Sequence, residues 1–225
     1  SSISHKNFFI AFIFSIFIIS SLLTTRAVFG YDDKTTHPAL TDEAVDFYNS
    51  RISGDPTSFG GRVSVSTEEK EWIVSGSILE DTEPRYVNHF YDPIYKVGWS
   101  GERAVFSQEI MQKIADIAIA PLGAVSALNW VHNQGLQAKY QRYLGNKTWE
   151  KALYEYVKNK DKKEAFLSLG FVLHLLEDMA VPEHTRNDTH TPLNESPYEN
   201  YSARYTRDNL NIANEINGKY QPVLF

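Results

Sequence analysis

The feature that most constrains the fold is the stretch "FVLHLLEDMAVPEHTRNDTH", residues 171–190. It opens as a run of Phe, Val and Leu that suits a buried helix, yet it carries His174 and Asp178. On a helix these two are i and i+4, so their side chains meet on one face. Burying either without a partner is expensive. A fold that accepts this helix must therefore supply one. A shared metal ion satisfies both groups, and so does a private His–Asp hydrogen bond across one helical turn. Glu177 stands beside the pair. His184 follows just past Pro182, where the helix should end, and His190 and Glu199 come after it. Nitrogen and oxygen ligands clustered without sulfur suit zinc in a catalytic role.

Composition narrows the alternatives. The chain has 225 residues and no cysteine, which excludes disulfides, thiolate zinc sites, a cysteine nucleophile and lipid attachment through cysteine. The length allows one sizeable core. Lys+Arg number 22 against Asp+Glu 28, a formal net charge of −6, with no basic block or stripe. The electrostatic footprint of a duplex-binding protein is missing, so no duplex nucleic acid is expected as partner. An acidic protein can still handle phosphate esters if metal ions supply the positive charge.

Residues 1–30 are a different kind of sequence. "SSISHK" is positively charged, residues 8–23 are apolar relieved only by Ser, and "TTRAVFG" leads into the acidic "YDDK". The apolar run is shorter than the ~20 residues that span a bilayer. The layout reads as a secretory signal peptide, with Val28 and Gly30 placed for cleavage before Tyr31 and Ala27 as the competing site. This predicts a secreted or periplasmic protein; an uncleaved anchor over 8–23 is the alternative. Cleavage would remove Lys6 and Arg26 and no acid, taking the charge from −6 to −8. The chain lacks an initiator Met and stops at "YQPVLF", which leaves a truncated C-terminus open.

Residues 31–225 read as one all-α, multi-helix domain. Thr41 before "DEAV" and Thr67 before "EEKE" look like N-caps followed by acids. "EPRYVNHFYDPIYKVGWSG" reads as loop, and "GRVSVS" is the only short strand candidate. A long helical stretch broken at Pro121 follows, then two helices joined near "NKDKK", then a last helix through "YENYSARYTRDNLNIANEI". His132, in "ALNWVHNQG", fits no ligand position and is expected to hold a buried hydrogen bond.

The pattern H-x3-D-x5-H at His174, Asp178 and His184 resembles the core motif of the zinc-dependent phospholipase C / S1–P1 nuclease superfamily. Other segments agree in order. "NHFYDP" looks like the family's second segment, with His89 as ligand; "GSILEDTEP" offers Asp81; "YDDKTTHPALT" resembles the mature N-terminus, with His37. The resemblance implies an all-helical secreted hydrolase with three zinc ions. One would sit between Asp81, His89, His174 and Asp178. A second would be held by His184 and Glu199. A third would take His37, with Asp178 bridging to it, and the amino nitrogen and carbonyl of the mature first residue. That residue is typically Trp in the family; here it is Tyr31. The family also offers a His four residues before the position of Glu199, where this chain has Glu195. Either Glu195 ligates through oxygen, or His190 folds back from the loop before it; His190 is the preferred reading. Without it two zinc ions are expected rather than three.

The resemblance also implies the chemistry. A zinc-activated water would hydrolyse a phosphodiester in line, with Asp81 as general base. "HFYDP" looks closer to the phospholipase branch, which implies a phospholipid substrate and peripheral membrane contact. An aromatic loop from Phe90 to Trp99 could face an interface or a choline-like cation, or simply pack. Single-strand nuclease activity is the alternative, and a non-catalytic metal-binding module is a reading of another class. Oligomeric state is not readable.

Overall fold

A computed structural model describes residues 35–54, 63–82, 84–98, 125–187 and 196–208. The main helices are α1 (Thr36–Gly54), α2 (Thr67–Leu79), α3 (Ala127–Trp130), α4 (Gln134–Ala138), α5 (Trp149–Tyr154), α6 (Lys162–Asp178), α7 (Pro182–Thr185) and α8 (Pro197–Asp208). Short 3-10 turns span Arg85–Asn88 and Gln141–Tyr143, and a π turn over Glu155–Asn159 extends α5. Among the described residues no strand forms; one isolated bridge joins Asp92 to Val97. The described residues are all-α. Tyr31, His190, Glu195, Pro121 and the apolar run 8–23 lie outside the described residues, and within them no helix is long and apolar enough to cross a membrane.

Local chemistry shifts three expected boundaries. The cap of α2 is Ser66, not Thr67: its hydroxyl accepts the Glu69 N–H at 3.2 Å while the Glu69 carboxylate accepts the Ser66 N–H at 2.9 Å, a complete capping box. Helix α1 starts at Thr36 rather than at Thr41, which is buried within it. In the described part of the strand candidate, residues 63–66, no strand pairing forms. Val65 instead exchanges two hydrogen bonds with the Asn49 side chain, at 2.9 and 2.8 Å. The break near "NKDKK" is where it was expected. Lys160 is left-handed (φ 59°) and the Asp161 carboxylate caps α6 by accepting the Glu164 N–H at 3.0 Å.

The site rests on the crossing of α2 and α6. A Cβ on Gly76 would lie 2.1 Å from the Leu167 carbonyl, and one on Gly170 would lie 2.0 Å from that of Ile73. The two backbones touch because neither glycine carries a side chain. Around the crossing lie Ile73, Phe171 and Leu175, all buried. Ala127, Trp130, Leu136 and Tyr140 extend the core across α3 and α4.

Candidate metal centre

Six segments bring their polar groups to one buried point. Helix α6 supplies His174 and Asp178 from its last two turns. Pro182 starts α7 as its first helical residue rather than merely ending α6, and this carries His184 back toward Asp178. His89 closes the Arg85–Asn88 turn. Its segment is pinned on both sides: Tyr91 N–H donates to the His184 carbonyl at 3.1 Å, and Ala127 N–H to that of Phe90 at 2.9 Å. Asp81 follows α2, and His37 sits at the start of α1. Glu199 enters from α8, where the Ser196 hydroxyl accepts its N–H at 3.2 Å and donates to Glu183 at 2.9 Å.

The spacing of the inner atoms is that of ligands around one small cation. For Zn–N and Zn–O bonds near 2.0–2.2 Å, tetrahedral ligands lie about 3.4 Å from each other. Asp81 Oδ1 is 3.5 Å from both His89 Nδ1 and His174 Nε2, which are themselves 3.3 Å apart. Asp178 Oδ2 lies 3.0 Å from His89 Nδ1 and 3.4 Å from His174 Nε2. The other oxygen of Asp178 faces away from this group, 3.5 Å from His37 Nε2 and 3.3 Å from His184 Nδ1. Asp178 thus stands between two sets of nitrogens. His184 turns its second nitrogen toward Glu199, at 3.8 Å, so it faces Asp178 as well as the carboxylate expected to accompany it.

Two of the inner nitrogens, those of His174 and His37, are oriented from outside. His174 Nδ1 donates to the Ser77 carbonyl at 2.6 Å, and since a carbonyl only accepts, Nδ1 carries a proton and Nε2 is the nitrogen left to face the cluster. His37 Nδ1 donates to Glu177 at 2.6 Å, leaving Nε2 toward Asp178. Glu177 is held in turn by the Thr41 hydroxyl at 2.7 Å. His89 Nε2 faces Glu80 at 3.5 Å, long for a hydrogen bond. The His37 and His174 rings stack with centroids 3.6 Å apart. Outer acceptors that fix ring tautomers are the usual companions of metal-binding histidines.

The electrostatics ask for positive charge. Both oxygens of Asp81 and of Asp178 are buried without a hydrogen-bond partner, and among the described residues no Lys or Arg pairs with either. Burial alone would lower the His89 pKa, but Asp178 and Glu80 raise it to about 9. Burial likewise opposes the charge on His174, which Asp81 and Asp178 hold well above the ordinary imidazole value. Burial would raise Asp178, yet His184, His174 and His89 hold it well below the carboxylate range. The carboxylates favour positive charge at His89 and His174, and a divalent cation would supply it. His37, His174 and Asp178, and Asp81, His89 and His174, are two groups that could hold a metal ion.

The structure therefore brings His37, Asp81, His89, His174, Asp178, His184 and Glu199 together. His132 does not have the buried role expected of it: its side chain is 51% exposed and pairs with Glu150 at 2.6 Å. Phe90 packs against the His184 ring, centroids 4.5 Å apart, whereas Ile94 and Tyr95 in the same loop are exposed. The sequence offers no site role for Ser77, Glu80 or Glu177, and for Thr41 only that of a helix cap. Only Glu177 left a trace there, as the acid beside Asp178. Compared with protein-family models, with curated proteins and with solved structures, the chain matches none.

Proposed function

We propose that this chain is a zinc-dependent phosphodiesterase of the phospholipase C / S1–P1 nuclease type, acting on phospholipid. The observation that carries the reading is the set of Asp81 Oδ1, His89 Nδ1 and His174 Nε2 at 3.3–3.5 Å from one another, with one Asp178 oxygen 3.0 and 3.4 Å from the two nitrogens and the other turned to His37 and His184. Zinc in this pocket would supply a nucleophilic water near neutral pH and positive charge against the phosphodiester oxygens. The chain's own groups do the rest. Asp81 presents one oxygen to the nitrogens of His89 and His174, and its other oxygen, buried and without a hydrogen bond, is the acceptor for the proton of the attacking water. Ser77 and Glu177 keep His174 and His37 in the tautomers that leave their inner nitrogens bare. The resemblance also asks for a free amine at Tyr31 and a nitrogen from His190, which would raise the zinc count from two to three.

Phospholipid is favoured over a nucleic acid strand by charge and by packing. A formal −6 opposes a polyanion. Phe90, the aromatic next to His89, is buried against His184 and offers no free face on which a base could stack. The test is metal content by mass spectrometry on the secreted protein, with its N-terminal sequence, followed by hydrolysis of phosphatidylcholine and of single-stranded DNA. Two to three zinc per chain are expected, with release of diacylglycerol, lost in His174→Ala and on chelation. DNA cleavage without lipid cleavage moves the substrate to the nuclease side. Folded protein that carries no metal after growth with zinc ends the enzyme reading and leaves a helical binding module.

A further inference from the structure

Helix α5 and its π extension carry an exposed apolar face away from the metal centre. A π turn adds a residue to one helical turn and rotates the residues after it. Here Leu153 (45% exposed), Tyr154 (55%), Tyr156 (50%) and Val157 (53%) all reach solvent. The face runs into a groove of about 530 Å³ between α5, α6 and residues 63–65, lined by Tyr48, Val65, Trp149, Phe166 and Leu169. Large contiguous apolar patches on a soluble surface mark interaction sites.

Charge identifies the occupant. Between residues 147 and 164 acids and lysines alternate, so no basic block stands out in the sequence. The structure separates them. Glu164 pairs with Lys147, Glu155 with Lys151, and Glu69 with Lys162; Glu150 pairs with His132. The Asp161 carboxylate caps α6. Lys158, Lys160 and Lys163 are exposed and have no ion-pair partner among the described residues. The acids are consumed inside the fold, and three exposed lysines without ion pairs follow within six residues of the aromatic and aliphatic run Leu153–Val157, on a protein whose net charge is negative. Tyr and Trp with a lysine rim suit a bilayer interface, where rings sit at head-group depth and ammonium groups meet anionic lipid. A two-fold contact between copies would set lysines against lysines.

The geometry points to this α5 face as a peripheral docking surface for membranes that carry anionic lipid. It gives the phospholipase reading a way to reach its substrate, but vesicle binding is read separately from turnover and does not depend on it. The experiment is flotation of the purified protein with vesicles of phosphatidylcholine alone and of phosphatidylcholine mixed with phosphatidylglycerol. It compares the wild type with Leu153→Ser/Val157→Ser and with Lys158→Glu/Lys163→Glu. Stronger binding to the mixed vesicles is expected. Each lysine near an anionic surface contributes a roughly fivefold change in affinity, so the lysine variant should lose at least about 20-fold there. The apolar variant should lose binding to both, while zinc content and far-UV circular dichroism stay at wild-type values in all variants. Equal binding by all three proteins overturns the assignment. So does a wild type that ignores vesicles but sediments as a dimer that Leu153→Ser/Val157→Ser dissociates.

Discussion

Two buried polar clusters lie side by side, joined through the neighbours Glu80 and Asp81, and they are built on opposite terms. Around Glu80 every charge is answered from within. Arg85 Nε and Nη2 donate to Glu80 Oε2 at 2.9 and 2.7 Å, and Nη1 donates to the Gly145 carbonyl at 2.9 Å. Trp130 Nε1 donates to Glu80 Oε1 at 2.7 Å, and Gln137 Nε2 to the Trp130 carbonyl at 2.8 Å. The guanidinium lies 4.9 Å from the Trp130 and Phe171 ring centroids. Around Asp81 and Asp178 the carboxylates accept no hydrogen bond and meet only imidazoles. A buried ion that finds all its partners in the chain stabilises a fold; one that finds none calls for something from outside. Burial alone does not distinguish the two clusters, because both are nearly inaccessible; the partners do.

That contrast can be broken from the closed side first. Arg85→Met should destabilise by about 3–5 kcal/mol, because it leaves the Glu80 carboxylate buried and unpaired. Urea unfolding of metal-loaded and chelated protein should show the same loss in both. If the loss vanishes when metal is present, the clusters are not independent. Glu177→Gln probes the open side. It keeps the shape and an acceptor for His37 Nδ1 but removes a charge, and metal affinity should fall about 10–100-fold by competition with a chromophoric chelator. The urea midpoint of the chelated form should move far less than in Arg85→Met. The smallest effect is a pH dependence. The His89 pKa is raised from 6.5 to about 9 in the fold, so the stability it confers on the chelated protein is fully present below 6.5 and lost as pH rises through about 9. The thermal midpoint of chelated protein should therefore fall over that window. Metal-loaded protein, whose imidazoles have no such proton to lose, should stay level; parallel curves for the two forms would count against metal at His89.

Much of the inner site was legible in the chain. His174 and Asp178 stand out because an apolar helix has no local use for them, and a spacing of four puts them on one face whatever the rest of the fold does. His184 follows closely enough that a short turn must return it. The outer acceptors carry no such mark. Ser77 acts through its carbonyl, which every residue has, and Glu80 looks like one more acid in "LEDTE" until Arg85 and Trp130 close on it. His132 misled for the opposite reason: it sits among residues that suit a core, but the turn after α3 faces it outward to Glu150. Thr67 and Thr41 misled because Ser, Thr and acids recur around helix starts, and only the backbone says which hydroxyl faces the free N–H groups.

What the sequence determined by itself is local. The helix periods, the break at Lys160 and Asp161, the i, i+4 pair on α6 and the lack of thiol ligands all depend on near neighbours. What the tertiary structure decided is which groups meet across long separations. The meeting of His174 Nδ1 with the Ser77 carbonyl needs α2 and α6 in backbone contact at Gly76 and Gly170, and the division of Asp178 between two sets of histidines needs α1, α6 and α7 to converge. Such contacts depend on how whole helices pack, and packing is set by shape at every crossing rather than by any motif.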